Sequence, residues 1–284
     1  MSQEKLKNKI NNIKDLPTLP DVVIQCNKLL QNPDVLLADL VKIIEEDQSI
    51  ATKILRIVNS AFYGFPGKIT TISQAVIILG FNTIRNIMLS VSVFSAFPAK
   101  EDSDLFNLTK FWKHSVGCGS TAKILCEKLK VANSGEIFIA GLLHDLGKIV
   151  LVQFFQKEFY RALQAAHQKN ILIFEAEKEE FGASHSQVGK YLAERWKLPP
   201  NLIEVITYHH NPSQSKIATE LTSIIHLSDI ICRGINIGYS GDNSIPEIDN
   251  YVWNKFNLES KIIKKWLPEI RELADTAGIL FLDN

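Results

Sequence analysis

Ala140-Gly-Leu-Leu-His-Asp-Leu-Gly-Lys148 sets an imidazole and a carboxylate side by side, at His144 and Asp145, in a run that is otherwise apolar until Lys148. An apolar helix gains nothing from two adjacent polar groups unless something pairs with them, because burying an unpaired polar group costs about 1–3 kcal/mol. Histidine nitrogen and aspartate oxygen together suit a borderline or hard divalent ion, and an aspartate can bridge two. The pair is therefore read as two metal ligands whose partners must come from elsewhere in the chain.

Working outward, no proline occurs between Pro98 and Pro199, and apolar residues there recur every three or four positions. That is the period of amphipathic helices, not of strands. One helix is expected from about Asp104 to Lys130, with Leu105, Leu108, Phe111, Trp112, Val116, Ala122, Cys126 and Leu129 as its buried stripe and His114 at the stripe's edge. Asn133-Ser134 offers a cap, with Glu136 in the first turn, for the helix carrying His144 and Asp145. A third helix from Ser186 stops before Pro199-Pro200. The next contains Val205, Ile206 and Tyr208 and runs into His209-His210, and the last motif helix, from about Ala218 to Cys232, holds Asp229. The first hundred residues read as shorter helices. Thr71-Ile-Ser-Gln74 looks like a capping box, Gly80 a terminator and Asn82 the cap of the following helix. The expected architecture is all-α, with an N-terminal helical lobe over residues 1–100 packed on a helical bundle with a C-terminal extension over 101–284.

The chain has 284 residues, 46% of them hydrophobic, which is ample for a core, and 31 basic against 31 acidic residues. With no net field and no basic patch, nucleic acid is not an expected partner. The charged start and the lack of an uninterrupted apolar span give no reason to expect a membrane partner, so the chain reads as cytoplasmic. The four cysteines, Cys26, Cys118, Cys126 and Cys232, have no CxxC spacing and read as small buried hydrophobes.

The further candidate ligands are His114, His185, the adjacent His209 and His210, and Asp229, on four different expected helices or at their ends. Convergence of polar residues from several helices is how bundle metal sites are built. The plainer readings stand beside this one. A single inward histidine is more often a hydrogen-bonded core residue, and His209-His210 could serve a helix C-terminus. His226 reads as a ligand-supporting or surface residue, and His167 has no expected role. Lys148, one turn after His144, is within reach of a bound anion or else a solvated lysine.

Together, His114, His144-Asp145 and Asp229 resemble the H…HD…D pattern of the HD superfamily of metal-dependent phosphohydrolases. More closely, the chain resembles the HDOD family of bacterial signalling proteins over residues 10–235. Leu16-Pro-Thr-Leu-Pro20, Asn59-Ser-Ala-Phe-Tyr-Gly64, Ile72-Ser-Gln-Ala75 with Leu79-Gly80, Gly141-Leu-Leu-His-Asp-Leu-Gly147, and Trp196-Lys-Leu-Pro199 leading to His209-His210 carry that resemblance. It implies an HD-like helical lobe and a regulatory or scaffolding role with a signalling protein as partner. The ligand order is also similar to that of HD-GYP phosphodiesterases. This implies one metal on His114, His144, Asp145 and Asp229, with Asp145 bridging to a second held by His185 and His209 beside His210. An active enzyme of this kind would use Asp145 and Lys148 on a phosphoester or nucleotide. The ions, one or two, could be iron, manganese, zinc or nickel. Lys110 stands where a third metal would need glutamate, and Asn211-Pro-Ser-Gln-Ser-Lys216 lacks the GYP signature. Neither a trinuclear site nor cyclic di-GMP hydrolysis is therefore implied.

Overall fold

A computed structural model of the chain describes residues 10, 13, 18–29, 36–60, 62–97, 105–131 and 135–282. Every regular element among them is helical. The expected cap at Asn133-Ser134, the helix start at Asp104, Leu16-Pro17 and most of the expected boundary around 98–104 lie outside the described residues.

In the N-terminal part, α1 (Asp21–Leu29), α2 (Leu37–Glu46), α3 (Gln48–Val58), α4 (Ile72–Leu79) and α5 (Phe81–Ala96) pack mainly on one another. Thr71 caps α4 as expected, its hydroxyl accepting from the Gln74 amide at 3.1 Å, while Gln74 Oε1 accepts from the Thr70 amide. Gly80, at φ +77°, ends α4 and is also the residue from which α5 departs. Asn82 therefore sits inside the first turn of α5 and is not its cap. A one-residue connection leaves no separate capping position. Asn59 clamps the following loop, exchanging hydrogen bonds with Ile69 at 2.7 and 2.8 Å. The clamp holds Phe62 against Phe138, with ring centroids 4.5 Å apart, and Phe62 also accepts from Lys123 through its carbonyl. Asn59 and Phe62 thus join the first helices to the helix that precedes His144.

The remaining helices are α6 (Leu108–Leu129), α7 (Ile137–Leu143), α8 (Leu146–Phe154), α9 (Gln156–Lys169), α10 (Ile173–Phe181), α11 (His185–Arg195), α12 (Pro200–Tyr208), α13 (Thr219–Gly234), α14 (Asn250–Lys255) and α15 (Ser260–Leu282). Asn107 caps α6, accepting from the Lys110 amide at 2.6 Å, and Lys130 closes it in the left-handed conformation. α6 is the central strut, packed on α7, α13 and α15.

Two glycine contacts set the crossings that matter. A Cβ at Gly141 would collide with the backbone of Gly119, so α7 lies directly on α6. A Cβ at Gly147 would strike the His185 carbonyl and the Gly189 amide, so α8 lies equally close to α11. Ile137–Phe154 is apolar and long enough to span a membrane by composition, yet 83% of it is buried inside the protein and the His144-Asp145 break divides it.

Candidate metal centre

His144 and Asp145 do not lie within one continuous helix, as the sequence pattern had implied. They form a two-residue break between α7 and α8, where Asp145 adopts φ −98° and ψ 16°. Lys148 donates its amide to the Asp145 carbonyl, starting the new helix with a tighter turn. The break leaves the Asp145 carboxylate within reach of groups on both sides. Around it stand His114 on α6, His185 as the first residue of α11, His209 and His210 just past α12, and Asp229 on α13. All seven ligands proposed from the sequence come together. Six are at most 3% exposed, and His210 is half-buried.

The histidines are held in one tautomer by their outer nitrogens. Nδ1 of His144 lies 2.6 Å from the Gly141 carbonyl, and that of His209 lies 3.1 Å from the Ile206 carbonyl. His114 Nδ1 is 3.3 Å from the Ile237 carbonyl, and His185 Nδ1 is 2.7 Å from Glu177 Oε2. A carbonyl or carboxylate only accepts, so each Nδ1 carries the proton and each Nε2 turns a lone pair inward. This is the arrangement by which metal-binding imidazoles are oriented. His210 Nε2 lies 3.0 Å from His185 Nε2, a spacing that needs a shared proton or a shared cation.

The carboxylates are equally poised. Burial opposes the charge on Asp145, but Lys148, His144 and His185 outweigh it and hold the group well below the ordinary carboxylate range. Burial likewise opposes Asp229, and the close approach of His114 with the charge of Arg233 holds it low. Burial pushes His209 down to about 4 and lowers His114 and His210 as well. His144 and His185 are pushed up despite burial, by Asp145 and by Glu177 respectively. Anionic carboxylates beside inward lone pairs are the protonation state that a cation requires.

The donors fall into two groups. His114, Cys118, His144 and Asp229 form one, and Asp145, His185, His209 and His210 the other, each with its donor atoms within 4.8 Å of one another. Asp145 Oδ1 lies 3.0 Å from His185 Nε2 and 3.5 Å from His209 Nε2, while Oδ2 lies 3.4 Å from His144 Nε2. Its two oxygens therefore face the two groups. His144 Nε2, Asp145 Oδ1, His209 Nε2 and Asp229 Oδ1 are buried without a hydrogen-bond partner. Four such atoms converging on one place would be costly in a site meant to stay metal-free, and they fit a divalent ion in each group. His114, His144 and Asp229 would hold one, and His185, His209 and His210 the other, with Asp145 between.

The geometry also departs from the sequence reading. Lys148 is fully buried, its Nζ 2.6 Å from Asp145 Oδ2, so it is no solvated lysine. His226 is buried, donating from Nδ1 to the His209 carbonyl at 2.7 Å, while its Nε2 accepts from the Asp249 amide. His167 is exposed. The sequence reading missed Cys118 and Glu177 as members of the site. Glu177 is fully buried and falls on the α10 stripe of Ile173, Ala176 and Phe181. A glutamate at apolar spacing was the available signal, hidden by the acidic residues around it. Gly238, at φ +67°, brings the 235–249 loop so close to α6 that a Cβ would strike the His114 amide.

The sequence profile of the HDOD domain matches residues 16–212. The chain belongs to the HDOD family. An uncharacterized protein of Treponema pallidum (strain Nichols) is 26% identical over 254 residues, covering 88% of this chain and 47% of that protein. The chain thus spans about half the length of that relative. A Geobacter sulfurreducens HDOD domain protein of unknown function is 25% identical, with a TM-score of 0.79 over 99% of this chain and 100% of that one. A Shewanella amazonensis protein provisionally described as a phosphohydrolase has the same fold, at 22% identity and a TM-score of 0.65 over 96% and 91% of the two chains.

Proposed function

We propose that this HDOD chain is a signalling module whose buried His/Asp cluster holds one or two divalent metal ions, and that it acts by regulation through a protein partner. The carrying observation is the set of inward Nε2 lone pairs, locked by outer hydrogen bonds, converging with unpartnered carboxylate oxygens. Asp145 spans both groups and Lys148 positions it. Metal content of the purified protein beside Asp145→Ala, scored for iron, manganese, zinc and nickel, tests this. One or two equivalents per chain, lost in the variant, are expected. A metal-free wild type after loading overturns the reading.

A second reading, a metal-dependent phosphohydrolase, is favoured by one feature. A cleft of about 350 Å³ reaches His210 and is lined by Lys178, Lys190, Ser184 and Ser186, with no carboxylate among its described lining residues. A divalent ion at the second group would supply Lewis acidity toward a phosphoryl oxygen arriving there. The two lysines would attract and orient the anion, and the wall formed by Phe174 and His210, stacked at 4.5 Å, would limit water. Turnover of a phosphoester panel by metal-loaded protein, abolished by His210→Ala, is what this reading expects. Inertness of the fully loaded protein sinks it.

A further inference from the structure

Cys118 lies one turn after His114 on α6, fully buried, with Sγ 3.4 Å from His114 Nε2. His114 Nε2 is in turn 3.1 Å from Asp229 Oδ1. A tetrahedral ion with bonds of about 2.0–2.3 Å has its donors separated by about 3.3–3.8 Å, so both spacings are close to what such an ion imposes. His144 Nε2 and Asp229 Oδ1, two of the other three donors, have no hydrogen-bond partner. The sulfur therefore completes a group of four donor atoms that all lie within 4.8 Å of one another. The helix favours this placement. Residues four apart share a face, so His114 and Cys118 offer an i, i+4 pair of donors from one rigid element. Gly119, next in sequence, admits α7 and with it His144.

We propose that Cys118 is a thiolate ligand of the first metal, closing that position with two imidazoles, one thiolate and the Asp229 carboxylate beside the shared Asp145, a donor set that favours zinc. This rests on the metal reading above and goes beyond it in naming the ligand and the ion. On binding, the S–H bond breaks as the S–metal bond forms, and the thiol proton passes to solvent. Without an ion the thiol keeps its proton, because burial pushes it well above the ordinary cysteine range and the neighbouring Cys232 adds to this. A soft sulfur among two imidazoles and one carboxylate disfavours manganese and magnesium and suits zinc. With these four donors and the shared Asp145 the ion has no open position. The first metal is then a fixed structural charge, and any exchange of ligands falls to the second group.

Cobalt(II) substituted into the full chain reads sulfur ligation directly, through the near-ultraviolet sulfur-to-cobalt charge-transfer band. The wild type is expected to show the band, Cys118→Ser to lose it, and Cys232→Ser to keep it. Zinc X-ray absorption on the unmutated chain gives a check that does not depend on a variant folding, with one sulfur at about 2.3 Å expected. Metal bound without the band, only nitrogen and oxygen scatterers around zinc, or a band that survives Cys118→Ser overturns the assignment while leaving the metal reading intact. A wild type that takes up neither cobalt nor zinc overturns both.

Discussion

His114, Cys118, His144 and Asp229 are all sealed in the core, on long helices or beside them, whereas the neighbouring group of Asp145, His185, His209 and His210 ends on a half-buried ring at the wall of a cleft. The two groups have similar chemistry and are linked through one carboxylate, yet the described cleft reaches the second of them. Enclosure, more than ligand type, separates a position that fixes structure from one that can respond to a ligand. The outer supports differ in the same way. Backbone carbonyls orient the first group's imidazoles and His209, while His185 of the second depends on the ionisable Glu177.

The sharpest way to break this comparison is to remove what the two groups share. Asp145→Ala should empty both and leave Lys148 buried without its partner, a loss of about 3–5 kcal/mol of stability. Urea unfolding with elemental analysis checks it, and metal retained in either group would show that the carboxylate is not common to both. Gly147→Ala comes next. Its Cβ would strike the His185 carbonyl, so α8 and α11 must separate, at about 1–3 kcal/mol, with the second ion lost ahead of the first. Thermal unfolding and metal content measured together give the result.

Glu177→Gln isolates the second group. The fold should survive, since glutamine fills the same space, but the His185 tautomer is no longer enforced. Affinity for one ion should fall about 10- to 100-fold while the other is unchanged. Competition with a chelator separates the two, and an equal loss from both would merge the groups into one cooperative site.

Acid should distinguish the groups further. His144 and His185 have raised pKa values, so in the metal-free chain they gain protons as pH falls through them, and a metal must displace those protons. Affinity therefore rises with pH, by up to about tenfold per unit for each proton displaced. His209, at about 4, adds no competition near neutrality. Because Cys118 must also lose its proton, the first group's affinity should depend more steeply on pH, as chelator titrations over a pH series would reveal. The smallest effect is expected at His167, exposed on α9, where alanine should change stability by no more than about 0.5 kcal/mol and leave metal content untouched.

Much of the centre was legible in the residues themselves. The His144-Asp145 pair stands out because apolar surroundings make a polar pair costly, and the same argument found His114 and Asp229 on their helical stripes. The resemblance supplied the pairing of His185, His209 and His210 with them. Cys118 escaped notice because a buried cysteine is an ordinary core residue, and nothing local tells a packing sulfur from a ligating one. Glu177 escaped because its neighbours Glu175, Glu179 and Glu180 make the segment look solvated. The break at His144-Asp145 carries no proline and no cap, so the helical period runs through it unbroken.

The sequence by itself determined the helical class and the chemical type of most of the donors, because a 3.6-residue period and the cost of burying polar groups are local properties. Which candidate donors stand together was decided only in the tertiary structure. The grouping depends on Gly119 meeting Gly141, Gly147 meeting His185, and the Gly238 loop pressing on His114. These contacts join residues far apart in the chain, and periodicity assigns a face to each helix without saying which face it meets.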